Sequence, residues 1–180
     1  MSRKEPLHSI LWGKLHRIDW VMRMKNRKLW VYAVAIAIPE AVGVLAGFLT
    51  RAGILNFQNV PQSALTPPAV IFPIVWTILY ALMGISSARI WMTEISEERT
   101  KGLTLYLFQL IFNFFWSIFF FNMEAYGFSL LWILGLWLLI LFMIRSFNKA
   151  DKLAAALQIP YLLWVSLATY LNYAVWRLNG

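Results

Sequence analysis

The sequence predicts an all-α membrane protein, a bundle of five transmembrane helices. The chain of 180 residues is 61% hydrophobic and only 13% charged, whereas about a quarter of the residues of a soluble domain are charged. Its apolar residues fall into five segments, each close to the ~20 residues that cross a bilayer as a helix. Because every backbone polar group needs a partner in lipid, such segments favour helices.

A polar, basic arm, residues 1–28, precedes the first span. Two interpretations of the arm remain open. It is either a partly helical, amphipathic segment that lies on anionic lipid, or a disordered tail whose charge sets the orientation of the protein. The net charge of +8 is better explained by membrane topology than by nucleic acid, because the chain is so apolar.

The five predicted spans are separated by short polar segments. In chain order they cover residues 29–49, 69–91, 103–121, 126–147 and 153–176. The longest connection is the first loop, residues 50–68, which ends in Pro67 and Pro68. A proline pair holds the preceding chain extended and fits the first turn of a helix, so it marks the start of the second span.

The distribution of basic residues predicts the orientation. Fourteen of the sixteen Lys and Arg residues lie in the arm or in the second and fourth connecting regions, and only Arg51 and Arg177 lie on the other side. The positive-inside rule therefore places the N-terminus in the cytoplasm and the first loop outside. With five spans the C-terminus is also outside, and we expect a bacterial plasma membrane.

The sequence contains no catalytic motif and no metal site. There is no cysteine, and both histidines, His8 and His16, lie in the arm. No metal-ligand spacing, phosphate loop or nucleophile elbow is present. We therefore predict no catalytic residue, no metal and no required cofactor. The candidate site residues are the polar and aromatic side chains within the spans, where polar groups are costly and so suggest function.

The third span has a polar face formed by Gln109, Asn113 and Trp116, which are spaced at helical intervals. Two interpretations remain open. The amides and the indole point into a ligand pocket, where they bond the carbonyl or carboxylate of a guest, or they form hydrogen bonds that hold the helices together.

Two other spans carry aromatic faces. They are Trp76, Tyr80 and Ser87 in the second span, and Trp164, Ala168 and Asn172 in the fifth. Pro160 precedes the latter and is expected to kink the helix and widen one end of the bundle. Aromatic and amide groups from three helices suit a flat, conjugated, partly polar ligand. The alternative is that these rings only pack helix against helix.

The first span contains an acidic residue and two glycines. Glu40 follows Pro39 near the middle of the span, where a carboxyl must be protonated, paired or open to water. It is either a proton-linked or ligand-binding group or the cap of a kink. Gly43 and Gly47 permit close helix approach, either within the bundle or in a homodimer.

A loose cholesterol-type pattern occurs near the C-terminus, formed by Leu171, Tyr173 and Arg177. Snorkelling of Arg177 and interfacial anchoring by Trp176 explain the same residues without a sterol.

Four segments resemble the translocator protein family, also called tryptophan-rich sensory proteins or peripheral benzodiazepine receptors. They read, in order, "PEAVGVLAG", "TPPAVIFPIVWTILYALMG", "LYLFQLIFNFFWSIFFF" and "IPYLLWVSLATYLNYAVWRLN". The resemblance implies a five-helix bundle, often a homodimer, with a cavity closed by the first loop. It also implies binding of protoporphyrin IX and other tetrapyrroles, haem, sterols and benzodiazepine-type ligands.

The resemblance also assigns roles to individual positions. It places Trp76, Gln109, Asn113, Trp164, Ala168 and Leu171 at the pocket, Pro67 and Pro68 as anchors of the lid, and the sterol motif on Leu171, Tyr173 and Arg177. The chain departs from the family pattern in its longer arm, in Leu65 where the family usually has Trp, and in Glu40 where small or apolar residues are usual.

Three functions follow as expectations. The first is binding of porphyrins or other flat hydrophobic ligands in the pocket, for sensing, scavenging or transport. The second is light-dependent breakdown of porphyrin, in which indole rings supply electrons. The third is proton-coupled transport of a small molecule through Glu40. The expected partners are the lipid bilayer, a small hydrophobic ligand and a second copy of the chain.

Overall fold

A computed structural model describes residues 7–179, with side chains from Asn26 onward. These residues form helices and no strand, which confirms the predicted all-α class. The helices are α1 (Leu7–Leu49), α2 (Arg51–Phe57), α3 (Ile71–Trp91), α4 (Glu97–Ser117), α5 (Tyr126–Ala150), α6 (Lys152–Ala156) and α7 (Ile159–Asn179), and a π-helical turn (Ile118–Asn122) follows α4. The arm is helical from Leu7 onward. Its predicted amphipathic character depends on side chains outside the described ones.

Five stretches of helix are long and apolar enough to cross a membrane, as predicted. They are Asn26–Leu49, Ile71–Trp91, Glu97–Asn122, Tyr126–Ala150 and Lys152–Asn179. The third begins earlier than residue 103 because Ser96 caps it, with its hydroxyl accepting a hydrogen bond from the Arg99 N–H at 3.2 Å. The fifth is a short helix, α6, followed after a turn by α7.

Each span buries a narrow face of apolar and aromatic side chains against the other helices, and leaves a wider apolar face on the outside of the bundle. Met83, Ile140, Met143 and Val165 are completely buried between helices. By contrast, Leu131 on α5 is 69% exposed. An outward face of this kind is costly in water and favourable in lipid, which is the environment that these helices require.

Glycines allow α1 and α3 to approach closely. A Cβ on Gly84 of α3 would overlap the backbone of Ile36 on α1, and a Cβ on Gly43 would overlap the ring of Tyr80. Gly47, one turn beyond Gly43, has no atom of another residue near its Cβ position. Gly43 therefore serves packing within the bundle, whereas a homodimer through this glycine pair stays a prediction.

The first loop folds over one end of the bundle. Its helix α2 rests on the π-helical turn, where a Cβ on Gly53 would overlap the carbonyl of Phe121. Two side-chain amides tie the loop to the bundle, one just before the loop begins and one within it. Asn122 Nδ2 donates to the Leu49 carbonyl at 3.0 Å, and Asn179 Nδ2 donates to the Pro61 carbonyl at 3.1 Å. The loop is thereby fixed as a lid on the helices.

Candidate functional site

A cavity of about 590 Å³ lies beneath the lid, between α1, α3, the end of α4 and α7. Its volume falls within the range of about 300–1,000 Å³ that is usual for small-molecule sites. It lies in the half of the bundle that contains the first loop, away from the basic ends of α3 and α5. Its lining includes Trp76, Tyr80, Trp116, Trp164, Ala168, Leu171 and Asn172, all singled out from the sequence.

Eight aromatic rings of the described residues line the cavity. The rings that line it are Phe57, Phe72, Trp76, Tyr80, Trp116, Phe120, Phe121 and Trp164. Trp76 stacks on Tyr80 with centroids 5.3 Å apart. Phe72 meets Trp164 edge to face at 5.7 Å, which joins α3 to α7 across the cavity. These rings present flat apolar surfaces that suit stacking against a flat ligand.

Beneath the cavity, a hydrogen-bonded network connects three helices. The Tyr80 hydroxyl donates to Asn113 Oδ1 at 2.8 Å, and Asn113 Nδ2 donates to the Tyr161 hydroxyl at 3.2 Å. Tyr161 in turn donates to Gln109 Oε1 at 2.8 Å. Of these four residues only Tyr80 lines the cavity, and it forms the polar floor. The other three lie deeper and keep the Tyr80 ring in position.

Gln109 and Asn113 therefore lie below the cavity and not in its lining. Both are almost completely buried. Asn113 uses the oxygen of its side-chain amide to bond Tyr80 and the nitrogen to bond Tyr161. Of the two interpretations drawn from the sequence, this geometry favours hydrogen bonds that hold helices together. Gln109 Nε2 has no partner among the described residues.

A second network holds the indole of Trp116, whose Nε1 donates to Asn172 Oδ1 at 3.1 Å. Ser129 on α5 donates to the same oxygen at 3.0 Å, and Asn172 Nδ2 donates to the Tyr126 carbonyl at 2.8 Å. These bonds orient Trp116 and link α4, α5 and α7. Ser129 and Tyr126 were missed from the sequence because the fourth span shows no polar face of its own.

The two prolines at the end of the loop have different positions. Pro67 lines the cavity beside Thr66 and Ala69. Pro68 lies outside the lining and accepts a hydrogen bond from the Ile71 N–H at 2.9 Å in the turn that begins α3. Leu65, at the position of the family Trp, is 66% exposed and does not line the cavity.

The three residues of the sterol pattern do not share one surface. Leu171 is buried and lines the cavity, whereas Tyr173 is 47% exposed and Arg177 is also exposed. The Tyr173 ring meets Trp176 edge to face at 6.4 Å. This arrangement matches interfacial anchoring at the end of α7, and sterol binding by the pattern stays a prediction.

Glu40 lies in the wall of the cavity on α1 and is half-buried. Two ion pairs join described side chains, Arg89 with Asp151 and Lys149 with Glu98, and Glu40 belongs to neither. Among the described residues that line the cavity, Glu40 is the only acidic one and none is basic. No group of acidic residues and histidines in the described part of the chain is placed to hold a metal ion.

The sequence matches a known family. The model of the TspO/MBR family matches residues 35–177. The chain is 33% identical to the tryptophan-rich protein TspO of Chlorobaculum tepidum over 86% of this chain and 99% of that protein. It is 33% identical to protein CrtK of Rhodobacter capsulatus over 83% and 91%, and 30% identical to the human translocator protein over 83% and 91%.

Proposed function

The chain belongs to the TspO/MBR family of membrane proteins, and from this premise we propose that its cavity binds porphyrins, other tetrapyrroles or similarly flat hydrophobic ligands. The observation that carries this proposal is the cavity of about 590 Å³ whose walls include the indoles of Trp76, Trp116 and Trp164. The family membership supports a membrane protein of this kind, and the aromatic walls support the class of ligand.

The shape of the wall explains why flat molecules are favoured. Trp76 on α3 and Trp164 on α7 both line the cavity. A planar guest against these rings gains apolar burial of roughly 25 cal/mol per Å² together with stacking. Polar residues such as Glu40 and Gln58 also line the cavity, which suits a ligand with a few polar atoms.

The position of the cavity bears on its role. Because fourteen of the sixteen Lys and Arg residues belong to the arm or to the second and fourth connecting regions of the sequence, we infer that these segments are cytoplasmic and that the cavity lies in the outer half of the membrane. A ligand then reaches it from the exterior or from the outer leaflet. Sensing, scavenging and transport all require that a ligand can reach the cavity.

The direct test replaces Trp76 and Trp164 with Phe, singly and together, in protein held in nanodiscs. Protoporphyrin IX binding is followed by the porphyrin's own absorbance, because a tryptophan signal would change with the variants themselves. We expect each substitution to weaken affinity about three- to tenfold, since it removes part of one stacking contact.

Trp91 provides the matched control. It is 59% exposed near the opposite end of α3 and does not line the cavity, so Trp91→Phe should leave porphyrin affinity unchanged. Equal affinity of the double variant and the wild type would exclude the cavity as the porphyrin site.

The same indoles favour a second candidate, light-dependent breakdown of porphyrin. Three indoles border the space that a porphyrin would occupy, and indoles are readily oxidised. Illumination of the protein with protoporphyrin IX should then bleach the pigment faster than illumination in empty nanodiscs. Equal rates would leave binding alone.

A further inference from the structure

One acidic residue lines the cavity without a basic partner in the described lining. Glu40 contributes a carboxyl to the lining, while the rest of the described lining has neither Lys, Arg nor His. No hydrogen bond or ion pair from a described residue engages its oxygens. The phenol of Tyr80 is the other titratable group in the described lining. A carboxyl open to the cavity and without a partner is available to a ligand.

The surroundings of Glu40 place it beside the aromatic walls. It lies one turn before Gly43, whose face meets the ring of Tyr80. Tyr80 in turn stacks on Trp76 at 5.3 Å. Glu40 therefore lies near the electron-rich rings of Tyr80 and Trp76, which line the same cavity.

A carboxylate beside aromatic faces is a setting that favours a cation. Ring faces attract a positively charged nitrogen through their quadrupoles, more strongly when water is excluded. The carboxylate adds a direct charge interaction, which is strengthened in a low-dielectric site. An anionic group placed at the same point would be repelled by Glu40 and would find no basic residue in the described lining.

We propose that the cavity selects flat aromatic ligands that carry a positively charged nitrogen, and that Glu40 is the counter-charge for this nitrogen. The inference rests on the proposed function, because it names a chemical class within the ligands of that same cavity. A porphyrin that occupies the cavity must hold its carboxylates away from Glu40. Glu40 thus adds selection by charge to a cavity that would otherwise select ligands by shape and apolar surface alone.

Three pyrene probes test the proposal because they share one flat ring system and differ in charge. They are 1-pyrenylmethyl-trimethylammonium, which is permanently cationic, the neutral 1-pyrenemethanol, and 1-pyreneacetate, which is anionic. Binding to the full chain in phosphatidylcholine nanodiscs is measured by energy transfer from tryptophan to pyrene, and partitioning into empty nanodiscs is subtracted. The variants are Glu40→Gln, Glu40→Asp and, as control, Glu124→Gln in the turn before α5.

For the wild type we expect the cationic probe to bind about tenfold more tightly than the alcohol, and the anionic probe more weakly. Glu40→Gln should bring the cationic and neutral probes to within about twofold of each other while leaving the alcohol's affinity unchanged. Glu40→Asp should keep most of the preference because it keeps the charge. Glu124→Gln should keep all of it, because that residue does not line the cavity.

Two results would overturn the proposal and they are distinguishable. If the alcohol binds but the cation is not preferred, or the preference persists in Glu40→Gln, the cavity binds flat ligands without selection by Glu40. If none of the three probes binds above the empty nanodiscs, the proposed function fails and this inference fails with it.

Discussion

At the scale of single residues, Asn113 shows how a buried amide supports the site without contacting a ligand. It stands on α4 and bonds a hydroxyl on α3 and another on α7, at 2.8 and 3.2 Å. Each bond satisfies a polar group that would otherwise be unpaired inside the membrane. The ring of Tyr80 is held in the cavity floor as a result.

Removing this amide should therefore lower stability more than affinity. Asn113→Ala leaves the hydroxyl of Tyr80 without its acceptor, and we expect a cost of about 1–2 kcal/mol in the free energy of unfolding. Unfolding in mixed detergent micelles measures it. The control is Thr104→Val, because that exposed hydroxyl bonds only the Thr100 carbonyl of its own helix, and its effect should stay within about 0.5 kcal/mol. Unchanged stability with a large loss of porphyrin affinity would instead make Asn113 a ligand-binding residue.

The helical spacing of residues predicted the face that each candidate occupies but not what that face meets. Trp76, Trp164 and Ala168 line the cavity, as expected from their shared faces. Gln109 also shares a helical face with other candidates, yet it does not line the cavity and instead accepts a hydrogen bond from Tyr161. The difference depends on how far each helix is rotated about its axis in the bundle, and a single sequence does not contain that information. Tyr161 was overlooked for the same reason.

At the scale of elements, Asp151 joins the end of α5 to the start of α6. Its Oδ1 caps α6 by accepting from the N–H groups of Leu153 and Ala154 at 2.8 and 3.0 Å. Its Oδ2 lies 2.7 Å from Nη2 of Arg89 on α3. Burial opposes the charge, but the hydrogen bond from Ala154 and the Arg89 guanidinium outweigh it and lower the pKa of Asp151.

The lowered pKa predicts a pH dependence of stability. A carboxyl whose pKa is lower in the folded than in the unfolded protein stabilises the fold above its unfolded pKa of about 3.9. That contribution is lost as the pH falls through the folded value. Asp151→Asn keeps a good capping group but removes the charge, so we expect it to cost about 1 kcal/mol or less at pH 7. The cost should shrink as the pH falls below about 3.9 and disappear once the pH is below the folded pKa.

Thermal unfolding of both proteins across this pH range gives the measurement. Glu98→Gln is the comparison variant, because the pair that Glu98 forms with Lys149 is far more exposed and should contribute close to nothing. A difference between Asp151→Asn and the wild type that stays constant down to pH 3 would contradict the assigned charge interaction.

The sequence predicted the helices whose position depends on hydropathy. It did not predict the helices whose formation depends on tertiary contacts. All five spans are present, and their ends move only where polar caps such as Ser96 extend a helix beyond the apolar segment. The helix Arg51–Phe57 and the π-helical turn Ile118–Asn122 were not predicted. Both form where the lid rests on the bundle, through Gly53 and Asn122, and that contact leaves no periodic signal in either segment.

At the scale of the whole molecule, the cavity results from close packing on one side of the bundle and separation on the other. Gly84 lets α1 and α3 approach closely. One end of the bundle then opens between α3 and α7, where the lid covers it. The lid is held by the amides of Asn122 and Asn179. The sequence predicted a roofed cavity through family resemblance, whereas its volume and floor required coordinates.

Gly47 offers the most direct test of whether this cavity is the binding site. It lines the cavity one turn beyond Gly43, and its Cβ position meets open space. The Cβ of Gly47→Phe should therefore meet no neighbour and its ring should occupy part of the cavity, while loss of a helical glycine should favour the fold by up to about 1 kcal/mol. Leu45→Phe, on the exposed side of α1 and outside the lining, is the matched control.

The measurement is the affinity of the two variants and the wild type for protoporphyrin IX in nanodiscs, with thermal stability recorded alongside. We expect Gly47→Phe to lose porphyrin binding by about a hundredfold or more while it unfolds no earlier than the wild type, and Leu45→Phe to bind as the wild type does. Wild-type affinity in a stable Gly47→Phe protein would contradict the central claim, because the ligand would then have to bind elsewhere.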